Sequence, residues 1–284
     1  MQKFVIAISS YARSFNPNFI VIPQNGTELA FEHVDAGQNV NLDYLNAIDG
    51  FGNEEIFYNG SLAIDNYRLS MLQKLKADKP ILVADYVDNN ANIGDAISRN
   101  NAQGFICFPR NASNYDYMLI PDSCWYENTS NISALKDAQN YLYLISSTNF
   151  ATKQDMINAI NATNFDVVII DLFFNDDEFT SAEIQSMKHK SNGGQRLLIS
   201  YMSIGSAEKY RYYWKKRWGL RRPWWIKRKY DGYPDEFWIK YWKNKWEEII
   251  YGNDDSYTKK IIDAGFDGVY LDNVEGYYFL YYRD

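Results

Sequence analysis

Short apolar runs recur along the chain at 4–8, 19–22, 55–58, 81–84, 105–108, 141–145, 167–170, 197–200, 237–241 and 269–271. Most are continuous rather than alternating, the pattern of strands buried on both faces in a parallel sheet. Amphipathic, helix-like stretches lie between several of them. One covers 67–76, a second 152–161 with Thr152 as its cap, and a third 180–190, where Thr180 and Glu183 form a capping-box pair. A fourth lies within 246–264 and stops at Gly265, a C-cap glycine. Strands alternating with helices over this length predict an α/β fold: one (β/α)8 TIM barrel spanning 1–284 as a single domain. Ten runs exceed eight, so one or two are expected as extra strands. An open doubly wound sheet is the alternative, but no glycine-rich phosphate loop accompanies it. Residues 109–133, with Pro109, Pro121 and several Asn and Ser, read as a long surface loop.

Three strand ends carry polar groups. Val167-Val168-Ile169-Ile170 runs directly into Asp171, and Val269-Tyr270-Leu271 into Asp272. An acid where a buried strand emerges must be paired or solvated in a cleft. Each Asp would also suit a helix cap or an Asx turn. The third end, after Leu197–Ser200, passes through Tyr201, Ser203 and Gly205 to Ser206, which reads as the cap of a helix with Glu208 in its first turn. The helix dipole alone accounts for an acid there. A strand-to-helix corner at a barrel mouth instead sets Glu208 beside Asp171 and Asp272. Carboxylates gathered there are the equipment of glycoside hydrolysis: one held protonated for the leaving oxygen, another stabilising positive charge or activating water.

Composition adjusts this picture in a few places. The apolar share of 46 % and charged share of 23 % are those of a globular protein. Aromatic residues reach 17 %, which fits either a tyrosine-rich core or a sugar-binding groove. A net charge of −7 argues against a general binder of nucleic acid or membrane surfaces. No apolar run is long enough for a membrane span. The start, Met-Gln-Lys-Phe-Val-Ile, is too short and strand-like for a signal peptide, so an exported protein would have shed its leader. Cys107 reads as a buried thiol, although one disulfide with Cys124 stays open. The two His are far apart and no H-x-x-H or C-x-x-C spacing occurs, so neither metal nor cofactor is expected. No G-x-S-x-G elbow occurs either.

Seven of the eight Trp fall between Trp214 and Trp246. Within that block, 209–229 holds ten of the 29 basic residues and none of the 36 acidic ones, which leaves the remaining chain at −17. Such a strip either tracks an anionic polymer or is a solvated helix whose long side chains lie over their own aromatics.

Four pieces, in order, resemble the polygalactosaminidase-like glycoside hydrolases of family 114. They are Val-Val-Ile-Ile-Asp, Ser-Tyr-Met-Ser-Ile-Gly-Ser-Ala-Glu-Lys-Tyr-Arg-Tyr-Tyr-Trp, Phe-Trp-Ile-Lys-Tyr-Trp-Lys-Asn-Lys-Trp and Gly-Phe-Asp-Gly-Val-Tyr-Leu-Asp-Asn-Val-Glu-Gly-Tyr. The resemblance implies a TIM barrel, export to the cell envelope or beyond, and cleavage of an α-1,4-linked galactosamine-containing polysaccharide. It marks Asp171, Glu208 and Asp272 as catalytic candidates. It also carries over Tyr201 and Arg211, which with Ser203, Tyr270, Asn273 and Trp238 are the substrate-binding candidates. The chain departs from the family pattern at Ser206 and Tyr270, where acids are common. A glycan-binding barrel that has lost part of its acid pair is therefore the second expectation.

Overall fold

The computed structural model describes residues 1–281. Eight of the apolar runs fall in parallel strands. In chain order the strands are Ile20–Pro23 (β1), Phe51–Leu62 (β2), Ile81–Val87 (β3), Ile106–Arg110 (β4), Tyr141–Leu144 (β5), Val167–Asp171 (β6), the short Phe173–Phe174 (β7) and Asp177–Glu178 (β8), Leu197–Ser203 (β9), Ser206–Glu208 (β10), Ile226–Tyr230 (β11), Tyr233–Ile239 (β12) and Gly268–Asp272 (β13). The helices are Gln2–Phe15 (α1), Leu42–Ala47 (α2), Asn66–Leu75 (α3), Ile93–Gln103 (α4), Lys153–Asn161 (α5), Ser181–Met187 (α6), Asn244–Ile250 (α7), Tyr257–Ala264 (α8) and Gly276–Tyr281 (α9).

One parallel sheet has the order β1-β13-β9-β6-β5 and a second the order β2-β3-β4. They meet on one side through a parallel bridge, Gln24 to Gly52, where the Asn25 N–H donates to the Gly52 carbonyl at 2.8 Å. On the other side β4 lies against β5 without a ladder among the described residues. Every residue of β6 and β9 is buried, which explains their unbroken apolar runs. Because the strands are parallel, their C-terminal ends gather at one end of the molecule.

Several expectations are corrected. The run at 4–8 belongs to helix α1; its buried Phe4, Val5, Ile8 and Ala12 follow helical spacing, which five residues are too few to reveal. The run at 237–241 overlaps β12, which pairs antiparallel in the separate order β10-β12-β11. These two account for the surplus over eight. The stretch 246–264 is split between α7 and α8, the latter closed by Gly265 at φ 88°. Thr152 and Thr180 each cap a helix through a full capping box. Both cysteines are free.

Two details shape the site above. Asp85, fully buried on β3, accepts from the N–H groups of Ile56, Phe57 and Tyr58 at 2.9, 3.0 and 3.2 Å. It thereby holds the irregularity in β2 between Glu54 and Asn59, where Glu55 takes φ 57°. Gly52 faces Tyr270 so closely that a Cβ there would sit 1.9 Å from the tyrosine oxygen. Gly52→Ala must push a buried ring aside, so we expect a loss of about 1–3 kcal/mol, read as a lower urea midpoint with an unchanged slope.

Candidate active site

The C-terminal strand ends surround a cavity of about 1030 Å³. Among the described residues ten carboxyl side chains line it against two guanidiniums, those of Arg68 and Arg211. Asp171 ends β6, Tyr201 lies on β9, and Asp272 ends β13; Asp272 pairs in register with Ser203 and Tyr270 with Tyr201. The ladder therefore brings two of the predicted acids to one rim.

Glu208 arrives by another route than the one predicted. Ser206-Ala207-Glu208 is not a helical turn but strand β10, paired antiparallel with β12. Gly205 makes the sharp approach possible: a Cβ there would sit 1.9 Å from the Asn273 carbonyl oxygen. The residues after Glu208, through Trp214, where that helix would continue, are turns, a bend and irregular backbone, so the helix-dipole explanation of Glu208 does not apply. The register instead places Glu208 directly opposite Glu236. Like charges opposed across a ladder repel each other, and this pair remains because each acid has its own partners.

Arg211 binds both predicted carboxylates on one flank. Its Nη1 donates to Asp171 Oδ1 and Oδ2 at 2.8 and 2.6 Å, and its Nε to Glu208 Oε2 at 2.5 Å. The Tyr210 hydroxyl donates to the other Glu208 oxygen. All three ionic side chains are nearly inaccessible to solvent. Burial raises the Asp171 carboxyl above its ordinary range, and Arg211 works against that shift.

Asp272 lies on the other flank in a different setting. Tyr201 Oη donates to its Oδ2 at 2.6 Å, and the Asn273 N–H to its Oδ1 at 2.7 Å. No cation reaches it among the described residues. Burial first, and the charge of Glu54 second, push it up to about 7. Glu236 is pushed up to about 8 by burial and by Glu208, against a hydrogen bond from Ser206. Glu275 also rises to about 8, through burial and the charge of Asp272. Two classes of acid thus share the cavity, one clamped by an arginine and one holding protons near neutrality.

Six of the nine predicted site residues line this cavity: Asp171, Tyr201, Glu208, Arg211, Asp272 and Asn273. The other three lie behind its wall, where they cannot touch a ligand in it. Tyr270 is fully buried under the floor beside Gly52, its ring edge-on to Tyr143 at 5.2 Å. Trp238 is sandwiched between Tyr230 and Phe279 at 4.3 and 4.7 Å. Ser203 is buried against Ser206 and Asn273, with Asn273 Nδ2 donating to its Oγ at 2.9 Å.

Sequence reading missed Glu54, Glu236 and Glu275, which line the same cavity. Glu275 stood in the quoted Leu-Asp-Asn-Val-Glu motif, and Glu54 in an acidic pair inside an apolar strand. Glu236 has no local signal, because a hairpin register delivers it. Among the described residues no cluster of His, Cys, Asp and Glu is arranged to hold a metal ion, and no helix is long and apolar enough to cross a membrane.

Part of the chain is similar in sequence to known proteins. The chain is 32 % identical over 118 residues to an uncharacterized protein of Thermotoga maritima, covering 42 % of this chain and 35 % of that one. It is 35 % identical over 124 residues to an uncharacterized protein of Deinococcus radiodurans, covering 44 % and 38 %. It is also 34 % identical over 152 residues to one of Methanocaldococcus jannaschii, covering 52 % and 40 %. The aligned part thus spans at most two-fifths of the length of these curated relatives. Residues 129–284, more than half of the chain, match the model of glycoside-hydrolase family GH114. The chain belongs to that family.

Proposed function

We propose that the protein hydrolyses glycosidic bonds of a galactosamine-type polysaccharide at internal positions, using the carboxyl groups of this cavity. The observation that carries the reading is the contrast between its acids. Arg211 holds Asp171 and Glu208, whereas no cation reaches Asp272 among the described residues. Asp272, pushed up to about 7, keeps its proton in part of the molecules at neutral pH and serves as the general acid for the leaving oxygen. Glu208 and Asp171, fixed by Arg211, supply the negative charge that faces an oxocarbenium-like centre. Tyr201 orients Asp272, and Asn273 both orients it and braces Glu236, its Nδ2 lying 3.3 Å from Glu236 Oε1. The excess of carboxyl groups suits an amino sugar, whose ammonium they attract. In this reading the two parallel sheets form one (β/α)8 barrel, joined by the Gln24–Gly52 bridge on one side and unladdered between β4 and β5 among the described residues, and the protein works outside the cell or in its envelope.

The test is product analysis on galactosamine, N-acetylgalactosamine and uronate polymers. Internal fragments from the galactosamine polymer alone are expected, with the stereochemistry at the anomeric carbon read by NMR. Fragmentation of none of the three would overturn the proposal. One observation favours a second reading. Arg211 closes an ion triad over Asp171 and Glu208, leaving neither carboxylate unpaired. A glycan-binding protein without turnover would show saturable binding of the same polymer and no fragments.

A further inference from the structure

The basic strip at 209–229 is not a helix, and it is sorted by the fold. Arg211 is taken up by the ion triad, Lys209 pairs with Asp235 at 2.8 Å, and Arg228 reaches Asp231 at 3.7 Å. The other seven cations are exposed and make no ion pair with a carboxylate among the described residues. Lys215, Lys216 and Arg217 precede a tight turn, Arg221 and Arg222 sit on it, and Lys227 and Lys229 point outward along β11. Gly219 and Arg222 close that turn by exchanging both backbone hydrogen bonds, at 2.7 and 2.8 Å.

The tryptophans of this block form a frame beneath the charges. Trp214 stacks on Phe237 at 5.4 Å, Trp218 stands edge-on to Trp214 and Trp225, and Trp225 packs on Trp246 at 5.3 Å. Two large apolar side chains remain outside this frame at the turn: Leu220, 48 % exposed, and Trp224, 59 % exposed. The ammonium groups of Lys240 and Lys243 lie 4.9 and 4.8 Å from the Trp224 ring and extend the cationic patch.

The surface therefore offers cations and apolar side chains together, and this combination selects among anionic partners. A soluble polyanion would neutralise the charge but gain nothing from Leu220. A neutral sugar would find Trp224 already attended by two ammonium groups. An anionic substrate chain led inward would meet the acidic cavity. A bilayer carrying anionic headgroups satisfies both features, since cations meet the headgroups while Trp and Leu enter the interface. The net charge of −7 does not oppose this, because at ordinary ionic strength the acidic body is screened beyond about 10 Å.

We propose that the turn around Leu220 and Trp224, with the cations of 215–229, is a docking surface for anionic lipid membranes. The β11–β12 hairpin, whose first strand carries Lys227 and Lys229, also supplies Tyr230, Asp231 and Tyr233 to the cavity rim, so the docking surface and the cavity share one element. This does not depend on what the cavity hydrolyses.

The experiment is co-sedimentation of the whole chain with phosphatidylcholine vesicles, with and without phosphatidylglycerol. Binding is expected only with phosphatidylglycerol and should fall steeply with added salt. Reversing three charges (Lys215→Glu, Arg217→Glu, Arg221→Glu) should weaken it about a hundredfold or more. Leu220→Ser with Trp224→Ser, at solvent-facing positions, should weaken it several-fold without changing the unfolding temperature. Equal binding to both vesicle types would overturn the proposal. So would phosphatidylglycerol binding that ignores Leu220 and Trp224 and is matched by soluble dextran sulfate, the behaviour of a polyanion site.

Discussion

Replacing Arg211 with methionine is expected to cost about 3–5 kcal/mol of stability, because it removes one partner from a buried ionic cluster and leaves its counter-charges in place. The triad makes the reason concrete. Arg211 meets Asp171 at 2.6 Å and Glu208 at 2.5 Å, and all three side chains are nearly inaccessible to solvent. Without the guanidinium two carboxyl groups face each other in a poorly solvated site, and Glu236 opposes Glu208 on the next strand. At about 2–4 °C per kcal/mol, the unfolding temperature should drop by roughly 10 °C. Acid conditions should return part of the loss, since protonation relieves the repulsion. Calorimetry at two pH values would check both statements; a variant as stable as the parent at neutral pH would show that the triad contributes nothing net.

Asp272→Asn is expected to separate activity from stability. If Asp272 is the acid, the substitution should lower kcat by about 10²–10⁴-fold. It should also remove the alkaline limb of the kcat/KM profile, which follows a group near 7. The stability effect has the opposite sign. A carboxyl raised from 3.8 to about 7 keeps its proton in the folded chain over a range where the unfolded chain has lost it. The stability it contributes is present below about pH 4 and is lost as pH rises to 7, at roughly 1.4 kcal/mol per pH unit. Asparagine carries no such term. The variant should therefore match the parent near pH 4 and unfold at a higher temperature near pH 8. Undiminished turnover would remove Asp272 from the acid role, whereas an unchanged pH dependence of unfolding would contradict its raised proton affinity.

Much of the parallel framework was legible because burial on both faces writes itself as unbroken apolar runs. The strand ends were legible for the same reason: Asp171 and Asp272 stand out where such runs stop. The run at 4–8 carried no period to separate strand from helix. Glu208 was placed at the cavity on the wrong backbone, since Ser206 followed by an acid suits a helix start as well as a short strand. Glu236 was beyond reach because its position depends on an antiparallel register set by the 231–232 turn. Glu54 stands on the last regular rung before the irregularity in β2, and Asn25 and Tyr117 hold its carboxylate, contacts no local pattern records. Tyr270 and Trp238 belong to motifs beside the cavity, yet large rings next to catalytic candidates also serve as their packing, and here they form floor and backing.

The interrupted ladder has a consequence for the acid itself. Hydrogen bonds run unbroken from β5 through β6, β9 and β13 to β1, so Asp171, Tyr201 and Asp272 ride on one slab. Glu54, whose charge helps raise Asp272, rides on the other, joined to the first at Gln24 and Gly52 and unladdered at β4–β5. Coulomb repulsion weakens with separation. The charge of Glu54 also raises Glu275, so the spacing of the two sheets bears on a pair of carboxyl groups, each already raised first by its burial.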